Sequence, residues 1–270
     1  MKKSKILIIG TTDCKGGAAS VGWNIGESLR QRGYWVKYIV GSKFSDSVHV
    51  HELQQPFLTN FMERFLPYNI TGLYRHFVSS LLANDMEWGA YQEILNHPWY
   101  KEADIIHFHN LHGSYLNLNI LPHVTKDKKT LWTLHDMWAI TGNCVYSDTP
   151  DVWKVGASSD RKIMEYPPMF WDNAQYLWQK KREIYDKAKE LTVVVPSKWL
   201  GTKVKESILK HHVLRVIYNG IDTKTFKPAD KKVVEKKTVE KKPTDKKTTE
   251  TKPVEKKPTT EKKQVEKKVT

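Results

Sequence analysis

Cysteine is nearly absent from this 270-residue chain, which has only Cys14 and Cys144. Two thiols exclude a disulfide framework and fit a reducing compartment, so a cytoplasmic protein is expected. No apolar run approaches the length of a membrane span. The first run, Ile6–Ile9, stops at Gly10 and reads as a buried strand rather than a signal-peptide core. Aromatic residues are missing from Lys231 onward, where 15 Lys and 7 acidic residues give +8 of the formal +14 net charge. Val-Glu-Lys-Lys recurs there from Val234, Val239, Val254 and Val265, with Pro243, Pro253 and Pro258 interleaved. Such a segment cannot bury enough apolar surface to offset its conformational entropy, so residues 231–270 are predicted to be a disordered tail. Lysine runs broken by acids are ordinarily just solvated, so no specific nucleic-acid partner is expected. The +8 charge favours at most weak, salt-sensitive, peripheral contact with anionic membranes.

Residues 1–230 hold all ten Trp and every Tyr and Phe, enough for one large α/β domain. Short β-branched or aromatic runs occur at Lys5–Ile9, Trp35–Val40, Asp104–Phe108, Thr130–Leu134, Leu191–Val195 and Val213–Ile217. Bounded by polar turns, they read as buried parallel strands. Helical patterns lie between them. Ala18, Val21, Ile25 and Leu29 share one face, and Met86–Asn96 and Phe170–Lys189 follow the same period. Ser197 is placed to cap a helix over Lys198–Lys210. The alternation predicts a Rossmann-like parallel sheet with helices on both faces. Gln54–Ala83, broken by Pro56 and Pro67, reads as helices and loop packed on one side.

In an open parallel sheet, ligands bind beyond the carboxyl ends of the strands. Polar residues collect there. Thr11–Gly17 follows the first strand; His107, His109, Asn110 and His112 follow the third; His135 and Asp136 follow the fourth. Ser197 follows the fifth, and Asn219 and Gly220 the sixth. Gly16 and Gly17 can bring backbone N–H groups to an anion at a helix N-terminus; a tight turn of small residues explains them equally well. Neither Gly-x-Gly-x-x-Gly nor Gly-Lys-Ser/Thr is present, which argues against a dinucleotide site or a P-loop. His107 and His109 share a strand face, but no carboxylate or Cys completes a metal set, so no metal is expected. His107 reads as packed and His109 as the better site candidate. His135, followed by an acid that can orient an imidazole, is favoured as functional.

In order along the chain stand Gly16, Gly17 and Ala18; Asp104, His107, His109 and Asn110; and Trp132, His135, Asp136, Met137, Trp138, Thr141 and Gly142. They are followed by Cys144, Tyr146, Trp153, Tyr166, Trp178 and Lys181, by Pro196–Leu200, and by Asn219–Asp222 with Phe226–Pro228. This series resembles family-4 glycosyltransferases of the bacterial polysaccharide, colanic-acid-type group. The resemblance implies a GT-B architecture, two Rossmann-like lobes facing across a cleft. Residues 1–230 correspond to the acceptor-side lobe, and the donor lobe is missing from this sequence. It further implies sugar transfer with retention from a nucleotide sugar to a glycan or lipid-linked acceptor, without a metal or other cofactor. Gly16 and Gly17 would approach the donor phosphates or the acceptor, and His135 would hydrogen-bond the transferred sugar. Asn219 and Gly220 would begin the passage into the second lobe. The catalytic candidates are therefore His135 and Asp136; the substrate-binding candidates are Gly16, Gly17, His109, Asn110, Ser197, Asn219 and Gly220.

Two departures stand out. The family loop after Thr141-Gly142 usually carries four Cys. Only Cys144 remains, with Pro150, Ala157 and Asp160 at the other places, so Tyr146, Trp153 and their neighbours are expected to hold it. The missing donor lobe predicts a transferase component that needs that lobe in trans. A non-catalytic, glycan-binding module or a degenerate remnant is the alternative.

Overall fold

The computed structural model describes residues 3–54, 81, 83–87, 89–147, 151–156 and 169–227. The tail at 231–270, most of the Gln54–Ala83 stretch, and Pro150, Ala157, Asp160 and Tyr166 lie outside them. Residues up to Gly220 belong to one unit, and Ile221–Lys227 to a second. In the second, the Asp222 carboxylate accepts from the Lys224 N–H at 2.9 Å and the Thr225 hydroxyl at 2.6 Å, closing a short turn.

The first unit is built on a seven-stranded sheet. Its strands are β1 (Lys5–Thr12), β2 (Trp35–Ser42), β3 (Val50–Glu52), β4 (Ile105–Phe108), β5 (Lys129–Thr133), β6 (Leu191–Val195) and β7 (Val213–Val216). The order is β3-β2-β1-β4-β5-β6-β7, and every pairing is parallel. All six expected strands form, with ends within three residues of their apolar runs. The seventh, β3, pairs only Val50–Glu52 with Tyr38–Val40. The described helices are α1 (Gly17–Gln31), α2 (Gln92–Asn96), α3 (Pro98–Glu102), α4 (Leu121–Asp127), α5 (Val152–Val155), α6 (Ala174–Lys187) and α7 (Lys198–Lys205).

Strand alternation sorts side chains to two cores. Ile6 and Ile8 of β1 join Val36, Tyr38, Val40 and Val50, with Trp23 and Leu29 of α1 against them. Leu7 and Ile9 join the larger core of Ile39, Ile106, Phe108, Trp132 and the later helices. Three helical expectations change. In α1 the buried residues are Gly22 and Gly26, and Ile25 is exposed. The helix approaches the sheet too closely for side chains there: a Cβ on Gly26 would run into the Tyr38 hydroxyl. Met86 does not start a helix, since only Gln92–Asn96 is helical and Ala90 instead bridges Leu116. After Pro196 the helix ends at Lys205, and Ser207 turns the chain with its hydroxyl on the Val204 carbonyl.

Candidate functional site

The strand order reverses direction between β1 and β4. The loops leaving that pair diverge to opposite sides and leave a crevice, the usual ligand position in a doubly wound sheet. A cleft of about 270 Å³ opens there. It is lined by the loop after β1, the first turns of α1, and His109, Asn110 and His112 after β4. Sequence-distant candidates, Gly16 and Gly17 with His109 and Asn110, thus face one space.

Gly16 precedes α1 with φ of 103°, a conformation that side-chain-bearing residues rarely adopt, and its carbonyl accepts the Ser20 N–H at 2.9 Å. No side chain caps the first turn of this helix. Its leading N–H groups and the positive end of the helix dipole therefore remain available to an anion. Gly17 is less constrained, because a Cβ there would meet nothing within 4 Å. Asp13 holds the loop. Its buried carboxylate accepts the N–H groups of Phe44 at 2.9 Å and Ser45 at 2.8 Å. Burial pushes its pKa up, but the hydrogen bonds from Ser45, Phe44 and Cys14 outweigh that and keep it below the usual value.

At the carboxyl ends of β4 and β5 three imidazoles meet. His107 and His109 lie two residues apart on one strand face, with ring centroids 4.4 Å apart. His109 and His135 lie nearly parallel, at 5.2 Å and 17°. His107 Nε2 pairs with Thr133 Oγ1 at 2.8 Å, and His109 Nδ1 with His135 Nε2 at 2.9 Å. His107 keeps a sliver of accessible surface but is enclosed by neighbouring atoms; burial, and then His135, hold its pKa at about 4. His109 is 3% exposed; burial, then His107 and His135, hold it at about 2. His135 is half-buried, and burial lowers its pKa despite the raising influence of Asp136. Both His107 and His109 are therefore neutral under physiological conditions. Burial of His107 agrees with the packed reading, whereas His109 is both buried and at the cleft.

Asp136 does not hydrogen-bond the ring it follows. Its Oδ2 meets His112 Nε2 at 3.2 Å, and its Oδ1 accepts the Trp138 N–H at 2.9 Å. The partner that orients His135 is His109. Successive side chains at a strand end diverge, and the neighbouring strand supplies the contact. His112, which lines the cleft, is the residue that connects Asp136 to it.

Ser197 and the Asn219–Gly220 pair are not brought into the cleft, and His135 and Asp136 do not line it but adjoin it through His109 and His112. Ser197 Oγ accepts the Leu200 N–H at 3.2 Å and caps α7 as expected. Asn219 and Gly220 are exposed after β7, at the end of the first unit.

The loop after β5 is held differently from the expectation. Tyr146 is 61% exposed and stacks on Trp199. Trp153 is buried, and its carbonyl accepts Trp178 Nε1–H at 3.1 Å. The central staple is Lys181, 0% exposed. Its ammonium donates to the carbonyls of Trp138 at 2.6 Å, Gly142 at 2.9 Å and Thr141 at 3.2 Å, and lies 3.5 Å from the Trp138 ring centroid. Tyr185 adds a hydroxyl on the Ala139 carbonyl at 3.0 Å. In the sequence, Lys181 stands out only within the series that carries the family resemblance; its spacing on a buried face with Leu177, Trp178, Ile184 and Tyr185 is the available signal. Among the described residues, no group of three or more His, Cys, Asp or Glu is arranged to hold a metal. No described helix is long and apolar enough to cross a membrane.

A parallel sheet with its ligand crevice at the β1–β4 reversal defines a Rossmann-like class of protein. Within that class, the model for Glycosyltransferase Family 4 matches residues 15–225, and the chain belongs to this family. It is 27% identical over 220 residues to a protein of Escherichia coli strain K12 named as a colanic acid biosynthesis glycosyl transferase, WcaC. That match covers 78% of this chain and 53% of WcaC, so the chain spans about half the length of the relative.

Proposed function

We propose that this chain is the acceptor-side component of a sugar transferase. It would move a sugar from a nucleotide-sugar donor to a glycan or lipid-linked acceptor with retention, together with a donor lobe supplied in trans. The observation that carries this reading is the meeting of an uncapped helix N-terminus with His109, Asn110 and His112 in one cleft at the β1–β4 reversal. Breaking a bond from an anomeric carbon to a nucleoside diphosphate builds positive character on carbon and negative charge on the leaving phosphate. The first turn of α1 supports the negative side through backbone N–H groups and the helix dipole. Lys15, exposed beside it with its ammonium 4.6 Å from the Phe44 ring centroid, adds a cation. A neutral imidazole at position 135 contributes a directed hydrogen bond without placing a second positive charge near the carbon. The remaining contribution is positional: the cleft holds the acceptor hydroxyl against the reacting centre.

The test is a transfer assay with a panel of nucleotide sugars. The purified chain would be compared with the same chain plus a donor lobe taken from a relative. Transfer that requires both parts and is lost with Gly17→Val supports the reading. Gly17 tolerates a Cβ in the fold, so loss of transfer in that variant reports on the ligand rather than on folding. Binding of a glycan with no transfer in any combination would replace it with the binding-module alternative.

A further inference from the structure

We propose that His109 is a positioning residue that fixes the tautomer of His135, keeping the proton on His135 Nδ1 so that this ring offers an N–H donor at the ligand edge. The His109 Nδ1 to His135 Nε2 contact of 2.9 Å joins two ring nitrogens, so one must carry the proton and the other a lone pair. Position alone permits either direction. The far side of His109 decides between them.

His109 Nε2 is buried and has no hydrogen-bond partner. It lies under Gly22 of α1: a Cβ there would sit 3.1, 3.2 and 3.3 Å from Nε2, Cδ2 and Cε1, so the Gly22 Cα–H covers the ring face and supplies no acceptor to Nε2. A proton on Nε2 would bury an N–H with no acceptor, whereas a bare Nε2 leaves only an unused lone pair, and orphaned buried donors are the rarer of the two. The proton therefore sits on Nδ1, which donates to His135 Nε2. A neutral His135 must then carry its own proton on Nδ1, the ring nitrogen with no protein partner among the described residues.

The device is rigid on the His109 side. Its backbone N–H donates to the Ile9 carbonyl at 2.9 Å, and its carbonyl accepts Trp132 Nε1–H at 2.8 Å. His107 packs beside it with its ring tilted by 39°, and protonating His109 would put a charge into this buried cluster. In consequence His135 recognises an acceptor oxygen of the ligand through Nδ1–H. It does not act as a general base through that nitrogen. The assignment of the ligand as a sugar or its phosphate rests on the function proposed above, but the tautomer does not.

The experiment is nitrogen NMR of the full chain with 15N-labelled histidine at neutral pH, the His135 signals being assigned with His135→Ala. In the wild type, His135 should show a protonated Nδ1 and a bare Nε2, and His109 the same pattern. His109→Asn places an amide N–H near the position of Nδ1 and should preserve the His135 tautomer. His109→Leu removes the donor, and His135 should move toward the Nε2–H form that free histidine prefers. Wild-type His135 protonated on Nε2 overturns the proposal by itself, whether or not the variants fold. So does an unchanged His135 tautomer in a folded His109→Leu. No ligand enters this measurement, so its failure and the failure of the proposed function are read separately.

Discussion

The ends of β4 and β5 and the loop that follows β5 both bury polar groups, but in opposite ways. In the loop, hydrogen-bonding capacity is taken up internally: three carbonyls converge on Lys181, Tyr185 binds a fourth, and Thr141 Oγ1 donates to the Cys144 carbonyl at 2.7 Å. At the strand ends capacity is left over. His109 Nε2 is unpartnered, and α1 begins without a side-chain cap. The contrast separates residues that hold the fold together from residues proposed to address a ligand, more sharply than residue type does. Ser197, a polar residue at the same sheet edge, falls on the holding side because its oxygen caps α7.

Acidification should strike the histidine stack hardest. His107 and His109 have folded-state pKa values of about 4 and about 2, below the ordinary histidine value. The unfolded chain therefore binds protons first as pH falls. Stability is complete above about pH 6.5 and declines below it, by about 1.4 kcal/mol per pH unit for each ring. Between pH 6.5 and 5 the loss should reach roughly 3 kcal/mol, read as a falling urea midpoint. A flat profile over that range would show that the two rings are not buried neutral.

His135→Ala comes next. In an assembly that includes a donor lobe, turnover should fall by roughly 10²–10³-fold, the usual loss for one positioned electrostatic group. The thermal midpoint should hardly move, because the side chain is only half-buried. Full turnover, or simple unfolding, would transfer His135 to the holding group.

Lys181→Met should do the reverse, with a stability loss of about 3 kcal/mol from carbonyls left buried without a donor. Equilibrium unfolding measures it. Any turnover loss should follow the fraction folded, since Lys181 contacts the loop rather than the cleft. Ser197→Ala carries the smallest effect, about 1 kcal/mol for a lost helix cap, with ligand affinity unchanged. A specific affinity loss in that variant would return Ser197 to the site.

Much of this division was legible in the sequence. Six β-branched or aromatic runs became the six expected strands, because a strand buried on both faces must be apolar throughout; β7, mostly exposed, departs from the expected burial. His107 and His109 were placed on one face by strand alternation alone. Less was legible where the deciding contact comes from a distant segment. β3 is three residues long and reads Val50-His51-Glu52, with no pattern to register. The buried face of α1 proved to be Gly22 and Gly26, because close approach to Tyr38 and His109 excludes the larger residues that a periodicity argument favours. Asp136 sits beside His135 in sequence, yet its partner is His112, 24 residues away. Lys181 lies some 40 residues from the carbonyls it binds. Pairings of this kind follow from the crossover connections, which local pattern does not encode.

The central claim is that ligand is addressed at the β1–β4 reversal and not at the β6–β7 end. Amide chemical-shift mapping on the full chain, titrated with a panel of nucleotide sugars and with inorganic pyrophosphate, tests it most directly. The account predicts saturable shifts at Gly16, Gly17, Ala18 and His109, with none at Ser197, Asn219 or Gly220. Shifts confined to Ser197, Asn219 and Gly220, with the glycine loop unmoved, would contradict it.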